Sequence, residues 1–106
     1  MREDEQTATL RLEGDLDIYR RAEIESQLPE PGAVDRVIID CSAATSIDST
    51  ILSLLMRYRR SFASAGGDPV NIVVIVGPGL RRSFEISGLT RVLTIVSAPG
   101  QSQSPA

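Results

Sequence analysis

Val37-Ile38-Ile39-Asp40-Cys41, followed after a short interval by Ile47-Asp48-Ser49-Thr50, is the stretch that decides the fold. Arg36 to Cys41 is a continuous apolar run rich in β-branched residues. Such a run belongs in the middle of a sheet with helices covering at least one face. The chain then dives into a loop and re-emerges at Ile47, directly before a long helical pattern running from Asp48 to about Ala65. Ile51, Leu55, Tyr58, Phe62 and Ala65 recur at steps of four and three, and Gly66-Gly67 supplies a C-terminal stop. Strand, loop and helix in that order are the unit of an α/β layer. The helix opens on a crowd of polar groups. Ser, Thr or Asp at this point caps free backbone N–H groups, and a phosphate placed there would meet the positive end of the helix dipole. Both readings stand at this level, a plain cap and a phosphorylation switch, and Asp48, Ser49 and Thr50 together exceed what one cap needs.

Working outward, Thr7 to Leu12 alternates and reads as a strand with Ala8, Leu10 and Leu12 on one face, bounded by Glu13-Gly14. Leu16 and Ile18 extend it or start a second short strand. Tyr19 to Leu28 reads as a helix stopped by Pro29-Glu30-Pro31-Gly32. Asn71 to Val76 is a second buried strand cut by Gly77-Pro78-Gly79; Leu80 to Ser87 is a short helix closed by Gly88, and Val92 to Val96 is a last strand. This alternation implies largely parallel neighbours entered by an antiparallel hairpin or bend at Gly14. Leu52, Leu54 and Met56 broaden the apolar side of the long helix near its start, which fits either burial against the sheet or a docking patch. Arg81-Arg82 reads as solvated charge before it reads as an anion site.

Composition removes whole classes of chemistry. The chain of 106 residues holds no histidine, and all eleven of its basic residues are arginine. Without His there is no Ser-His or Cys-His pair, and without Lys there is no phosphate-loop lysine or Schiff base. One cysteine, Cys41, makes neither a bridge nor a zinc site, and its place at the end of an apolar strand reads as a small buried hydrophobe in a reducing cytoplasm. We expect no enzyme activity, no cofactor and no metal. The net charge is −3, with ten acidic and four basic side chains in residues 1–35 and four acidic and seven basic in the rest. An acidic chain with four aromatic residues lacks the signature of a nucleic-acid binder. No stretch suits a secretory leader or a spanning helix, so no direct membrane insertion is expected.

Four motifs in order resemble one family. Gly14-Asp15-Leu16-Asp17, Val37-Ile38-Ile39-Asp40, Ile47-Asp48-Ser49-Thr50 and Phe84-Glu85-Ile86-Ser87-Gly88-Leu89 resemble the Gly-Glu-Leu-Asp, central strand, Asp-Ser-Ser/Thr and Thr/Ser-Gly-Leu segments of the STAS domain, as found in bacterial anti-sigma factor antagonists. The resemblance implies a single α/β domain over residues 7–96, with a central mixed β-sheet of four to five strands and helices packed on it. It leaves 1–6 as a charged segment in place of the family's usual first strand, while 97–106 is too poor in apolar residues to pack and reads as a disordered tail. It implies Ser49 as the phosphorylated residue, with Thr50 as the alternate, and a partner surface of Asp17, Asp48, Ser49, Thr50 and Ile51. Ile51-Leu52-Ser53 stands where the family has Gly-Leu-Gly, and Ile51 is expected to enlarge the apolar partner surface. The implied partner is an anti-sigma factor of serine protein kinase type whose sigma factor is freed. The alternative is a constitutive STAS subunit of a lipid-transport ABC system. Oligomeric state is left open.

Overall fold

Strand and helix alternate along residues 5–98, the part of the chain that the computed structural model describes. The strands are β1 (Thr7–Leu16), β2 (Arg36–Ile47), β3 (Ile72–Val76) and β4 (Thr94–Ser97); the helices are α1 (Arg21–Gln27), α2 (Ser49–Ser64) and α3 (Pro78–Ser87), with 3₁₀ turns at Ile18–Arg20, Pro69–Asn71 and Leu89–Arg91. The sheet order is β1-β2-β3-β4 and every neighbouring pair is parallel. Each strand therefore reaches the next through a crossover that carries a helix, as parallel pairing requires.

The α/β class holds, and the sheet corrects the expected detail. It is parallel throughout, where a mixed sheet entered by a hairpin or bend at Gly14 was expected. β1 runs straight on through Gly14 to Leu16 against β2, and the return is made by α1 instead. β2 likewise does not stop at Cys41. Glu13, Gly14, Asp15 and Leu16 pair with Ala43, Ala44, Ser46 and Ile47, so the supposed loop is strand. The polar residues there are held by side-chain bonds: Thr45 and Ser46 donate their hydroxyls to Asp15 Oδ1 at 2.7 and 2.9 Å. Those two bonds hold the Asp15 carboxyl below the usual carboxylate range. The helix expected over Tyr19 to Leu28 divides into a 3₁₀ turn and the shorter α1.

One side of the sheet carries the core. Leu10, Leu12 and Leu16 of β1, Val37, Ile39 and Cys41 of β2, and Ile72, Val74 and Val76 of β3 are buried against Ile24 of α1, five residues of α2, and Leu80 and Phe84 of α3. The buried α2 residues are Ile51, Leu54, Leu55, Tyr58 and Phe62, while Leu52 and Met56 pack partly against the core. Ala65, expected on the same stripe, is the exposed C-cap. On the other side the register lines up Thr9, Ile38, Val73 and Thr94, then Arg11, Asp40, Ile75 and Val96, which are partly or fully exposed. The helices thus form a single layer. Cys41 lies wholly in the core, and burial pushes its thiol up to about 12, so it stays protonated at neutral pH.

The end of the chain carries one further correction. Ser97 closes β4 and Ala98 is buried with its N–H on the Val76 carbonyl at 2.9 Å, so the expected tail loses its first two residues to the fold. The rest of that expected tail, and residues 1–4 of the charged segment, lie outside the described residues. Gln6 is tied to the domain through Asp35, donating its N–H to Oδ2 at 2.9 Å. At the end of α2, Gly67 donates its N–H to the Phe62 carbonyl so closely that a Cβ would overlap the Phe62 ring. The ring is fully buried and has nowhere to go. Gly67→Ala should therefore cost about 1 to 3 kcal/mol in urea unfolding through overpacking, whereas an unchanged midpoint would show that the ring yields freely.

Candidate functional site

The parallel strands β1 and β2 end together at Leu16 and Ile47, and the turns that follow them lie side by side. Open α/β sheets place their sites beyond the carboxyl ends of strands, where successive turns bring polar groups together. The Leu16 carbonyl accepts the Asp48 N–H at 3.1 Å and fixes the two turns to each other.

Asp48 is the junction. It is the N-cap of α2 in extended conformation, and its Oδ1 accepts the N–H groups of Thr50 and Ile51 at 3.1 and 3.2 Å. Its Oδ2 reaches across to accept the Ile18 N–H at 3.1 Å. One carboxylate therefore satisfies donors in both turns. Asp17 does the same on a smaller scale, capping the 3₁₀ turn by accepting the Tyr19 N–H at 3.1 Å. The helix N-terminus of α2 is thus capped by Asp48, and neither hydroxyl is used for it. Ser49, the first residue of α2, is exposed, and its hydroxyl has no hydrogen-bond partner among the described residues. Thr50 is half-buried beside it.

Ile51 is a correction. Expected on the partner surface, it is fully buried and belongs to the core cluster. The physical reason is the helix period: Ile51 shares its face with Leu55, Tyr58 and Phe62, which point at the sheet. Its bulk therefore does not stand between Ser49 and an approaching protein. The structure brings Asp17, Asp48, Ser49 and Thr50 to one surface and removes Ile51 from it.

Two features of that surface escaped the sequence reading. Ile18 and Tyr19 are 55% and 91% exposed, large apolar side chains on the turn whose Ile18 N–H bonds the Asp48 carboxylate. On the other flank of Ser49 an open groove of about 560 Å³ runs between α2 and the Ser87–Val92 segment. Leu52, Met56, Leu89 and Val92 give it apolar walls, Ser49, Ser53 and Ser87 add hydroxyls, and Arg57 and Arg60 stand at its charged part. The available signal for the first was an aromatic residue following an Asp cap and lying off any core stripe. One wall of the groove did show in the sequence, as Leu52 and Met56, which fit either burial or a docking patch; the second wall did not, because the α3 end that forms it is distant in the chain.

Comparison with known proteins bears on this geometry. The family model described as "Mlab, STAS domain" matches residues 1–96 of the chain. No curated protein matches it.

Proposed function

The chain belongs to the STAS domain family, and on that premise we propose that it is an anti-sigma factor antagonist whose contact surface is switched by phosphorylation of Ser49. STAS domains are consistent with protein–protein interaction, and no helix among the described residues is long and apolar enough to cross a membrane. The observation that carries the reading is the division of labour at the head of α2. Asp48 supplies the cap, so the exposed Ser49 hydroxyl is free for a kinase without cost to the helix. Thr50 is the less accessible alternate.

In the unmodified form, Asp17, Asp48, Ser49 and Thr50 would meet a serine-kinase-type anti-sigma factor, which then releases its sigma factor. A phosphate on Ser49 adds roughly −1.5 to −2 charge units beside the Asp48 carboxylate. The helix N-terminus stabilises that charge locally, while a closely packed protein surface must desolvate and oppose it. The fold tolerates the modification and the partner rejects it. No catalytic step by the chain itself belongs to this reading, and a bacterial cytoplasm is its setting.

The test uses purified protein, a panel of serine-kinase-type anti-sigma factors and ATP. Label mapping to Ser49, with Ser49→Ala binding like the parent and Ser49→Asp binding thirty- to a hundredfold more weakly, about 2 to 3 kcal/mol, supports the switch. Label confined to other residues, or equal binding by all three proteins, removes it. A second reading, a permanent subunit of a lipid-transport ABC complex, is favoured by the apolar walls of the groove beside Ser49. Its support from Ile51 falls with the burial of that side chain. Stable co-purification with an ATP-binding cassette subunit, insensitive to Ser49→Asp, would select it.

A further inference from the structure

β1 is an edge strand of ten residues, with β2 on one side and no strand among the described residues on the other. The direction of its backbone groups follows from its ends. The Gln6 carbonyl accepts from Asp35 and Arg36, and the Leu16 carbonyl accepts from Asp48, so even-numbered residues face β2. Successive residues of a strand point their N–H and C=O to opposite edges, which leaves those of Thr7, Thr9, Arg11, Glu13 and Asp15 facing outward. The register shifts fall on β2, which spends three residues from Asp40 to Ala43 while β1 spends two from Arg11 to Glu13. β1 is thus unbulged there, its outer edge is extended up to Glu13, and pairing past that point requires Gly14 to straighten once its neighbouring carbonyls are released.

Arg20 closes part of this edge. Its Nη1 donates to the carbonyls of both Glu13 and Asp15, the two outward acceptors nearest the end of the strand. Gly14, at φ +74°, turns the chain between them so that both carbonyls converge on one nitrogen. The other side of the guanidinium is held by Glu23, with Nε and Nη2 at 3.3 and 3.1 Å from its two oxygens. A side chain from the following turn thus occupies backbone acceptors that a strand would otherwise use.

The strand it guards is complementary to itself, because Arg11 and Glu13, exposed and paired with each other along one strand at 2.8 Å, can exchange that partner for the same residue of a second copy. Two copies of β1 laid antiparallel about Leu12 would set Arg11 opposite Glu13 of the other copy, twice by symmetry, and Leu12 opposite Leu12. Opposite charges in facing positions stabilise a strand pair, and like charges oppose it. Neighbouring registers fare worse: centring on Arg11 faces Arg11 with itself, centring on Glu13 faces Glu13 with itself, and centring on Leu10 faces Glu5 with Asp15. The favourable register is the one that needs the Glu13 and Asp15 carbonyls. We propose that the outer edge of β1 is a recognition site for β1 of a second copy of this chain, paired antiparallel about Leu12, and that the Arg20 guanidinium holds the site shut.

The experiment is sedimentation of the full chain as parent, Arg20→Ala, and Arg20→Ala combined with either Thr9→Pro or Glu13→Arg. The outward Thr9 N–H is not used by β2, so proline removes a pairing donor and spares the sheet. Arg20→Ala is expected to dimerise at least about tenfold more tightly than the parent, with both added substitutions returning it to parental behaviour. An Arg20→Ala protein that sediments like the parent overturns the proposal. So does association that neither Thr9→Pro nor Glu13→Arg reverses, because aggregation of an unfolded variant would ignore both. None of these outcomes depends on Ser49.

Discussion

Ile51→Gly, which writes the family's usual residue into this chain, is expected to lose about 3 to 5 kcal/mol of stability. The side chain is fully buried in the cluster shared by the sheet and α2. Removing it forfeits the transfer of its apolar atoms and leaves a cavity, which for a buried Ile→Ala change costs about 2 to 5 kcal/mol. Glycine in a helix adds up to about 1 kcal/mol more against alanine. For a domain with about 5 to 15 kcal/mol in total, the variant sits near the threshold of folding. Urea unfolding should show the midpoint lowered by about 2 M with little change in slope, and Ile51→Val should lose only about 1 kcal/mol. A surface residue behaves otherwise. Had Ile51 served the partner, Ile51→Ala would leave stability within about 0.5 kcal/mol and change binding alone. That outcome would return the side chain to the interface.

The same residue marks the limit of reading this chain from its sequence. Steps of four and three placed Ile51 with Leu55, Tyr58 and Phe62 on one stripe, while alignment to a motif placed it on the partner surface. A helix face points in one direction, and the periodicity was the physical statement of the two. Strands β2 and β3 were legible for a related reason: unbroken β-branched runs read as strand whichever face is covered, and here alternate residues of each run are buried. The continuation of β2 through Ser42-Ala43-Ala44-Thr45-Ser46 was not legible. Small and hydroxyl residues carry no alternation, and what makes them strand is pairing with Glu13 to Leu16 and the hydroxyl bonds to Asp15. The parallel entry of β1 did have a signal, since a helix between two strands is long enough for a crossover. The glycine at 14 drew attention to the wrong place: its positive φ bends the edge of a continuing strand and does not reverse the chain. At the site, the crowding of Asp48, Ser49 and Thr50 was visible at once, but which of the three performs the capping depended on rotamers. The carboxylate takes it because it alone offers two acceptor atoms to donors from two different turns.

That double use makes Asp48 the second position of large effect. Asp48→Ala removes the acceptor for the Thr50 and Ile51 N–H groups and, on its other oxygen, for Ile18. Loss of an N-cap costs about 0.5 to 2 kcal/mol, and a hydrogen bond to a charged group is worth about 1.5 to 3 kcal/mol, so a total near 3 kcal/mol is expected. Asp48→Asn separates the two contributions. Asn caps a helix about as well as Asp, so its amide oxygen can keep the α2 donors. Its NH₂ would then face the Ile18 N–H, donor against donor, and the side-chain link between the turns breaks while the Leu16–Asp48 backbone bond remains. Stability of Asp48→Asn should fall about midway between parent and Asp48→Ala. Hydrogen exchange should locate the difference, with the Ile18 amide unprotected in both variants and the Thr50 and Ile51 amides unprotected only in alanine. Equal protection of Ile18 in the parent and both variants would mean that the carboxylate does not join the turns. The consequence for function is direct. Ser49 and the exposed Ile18–Tyr19 turn are held in register by this side chain together with the Leu16–Asp48 backbone bond, so a partner that reads both should lose affinity for Asp48→Asn, although the serine it approaches is untouched.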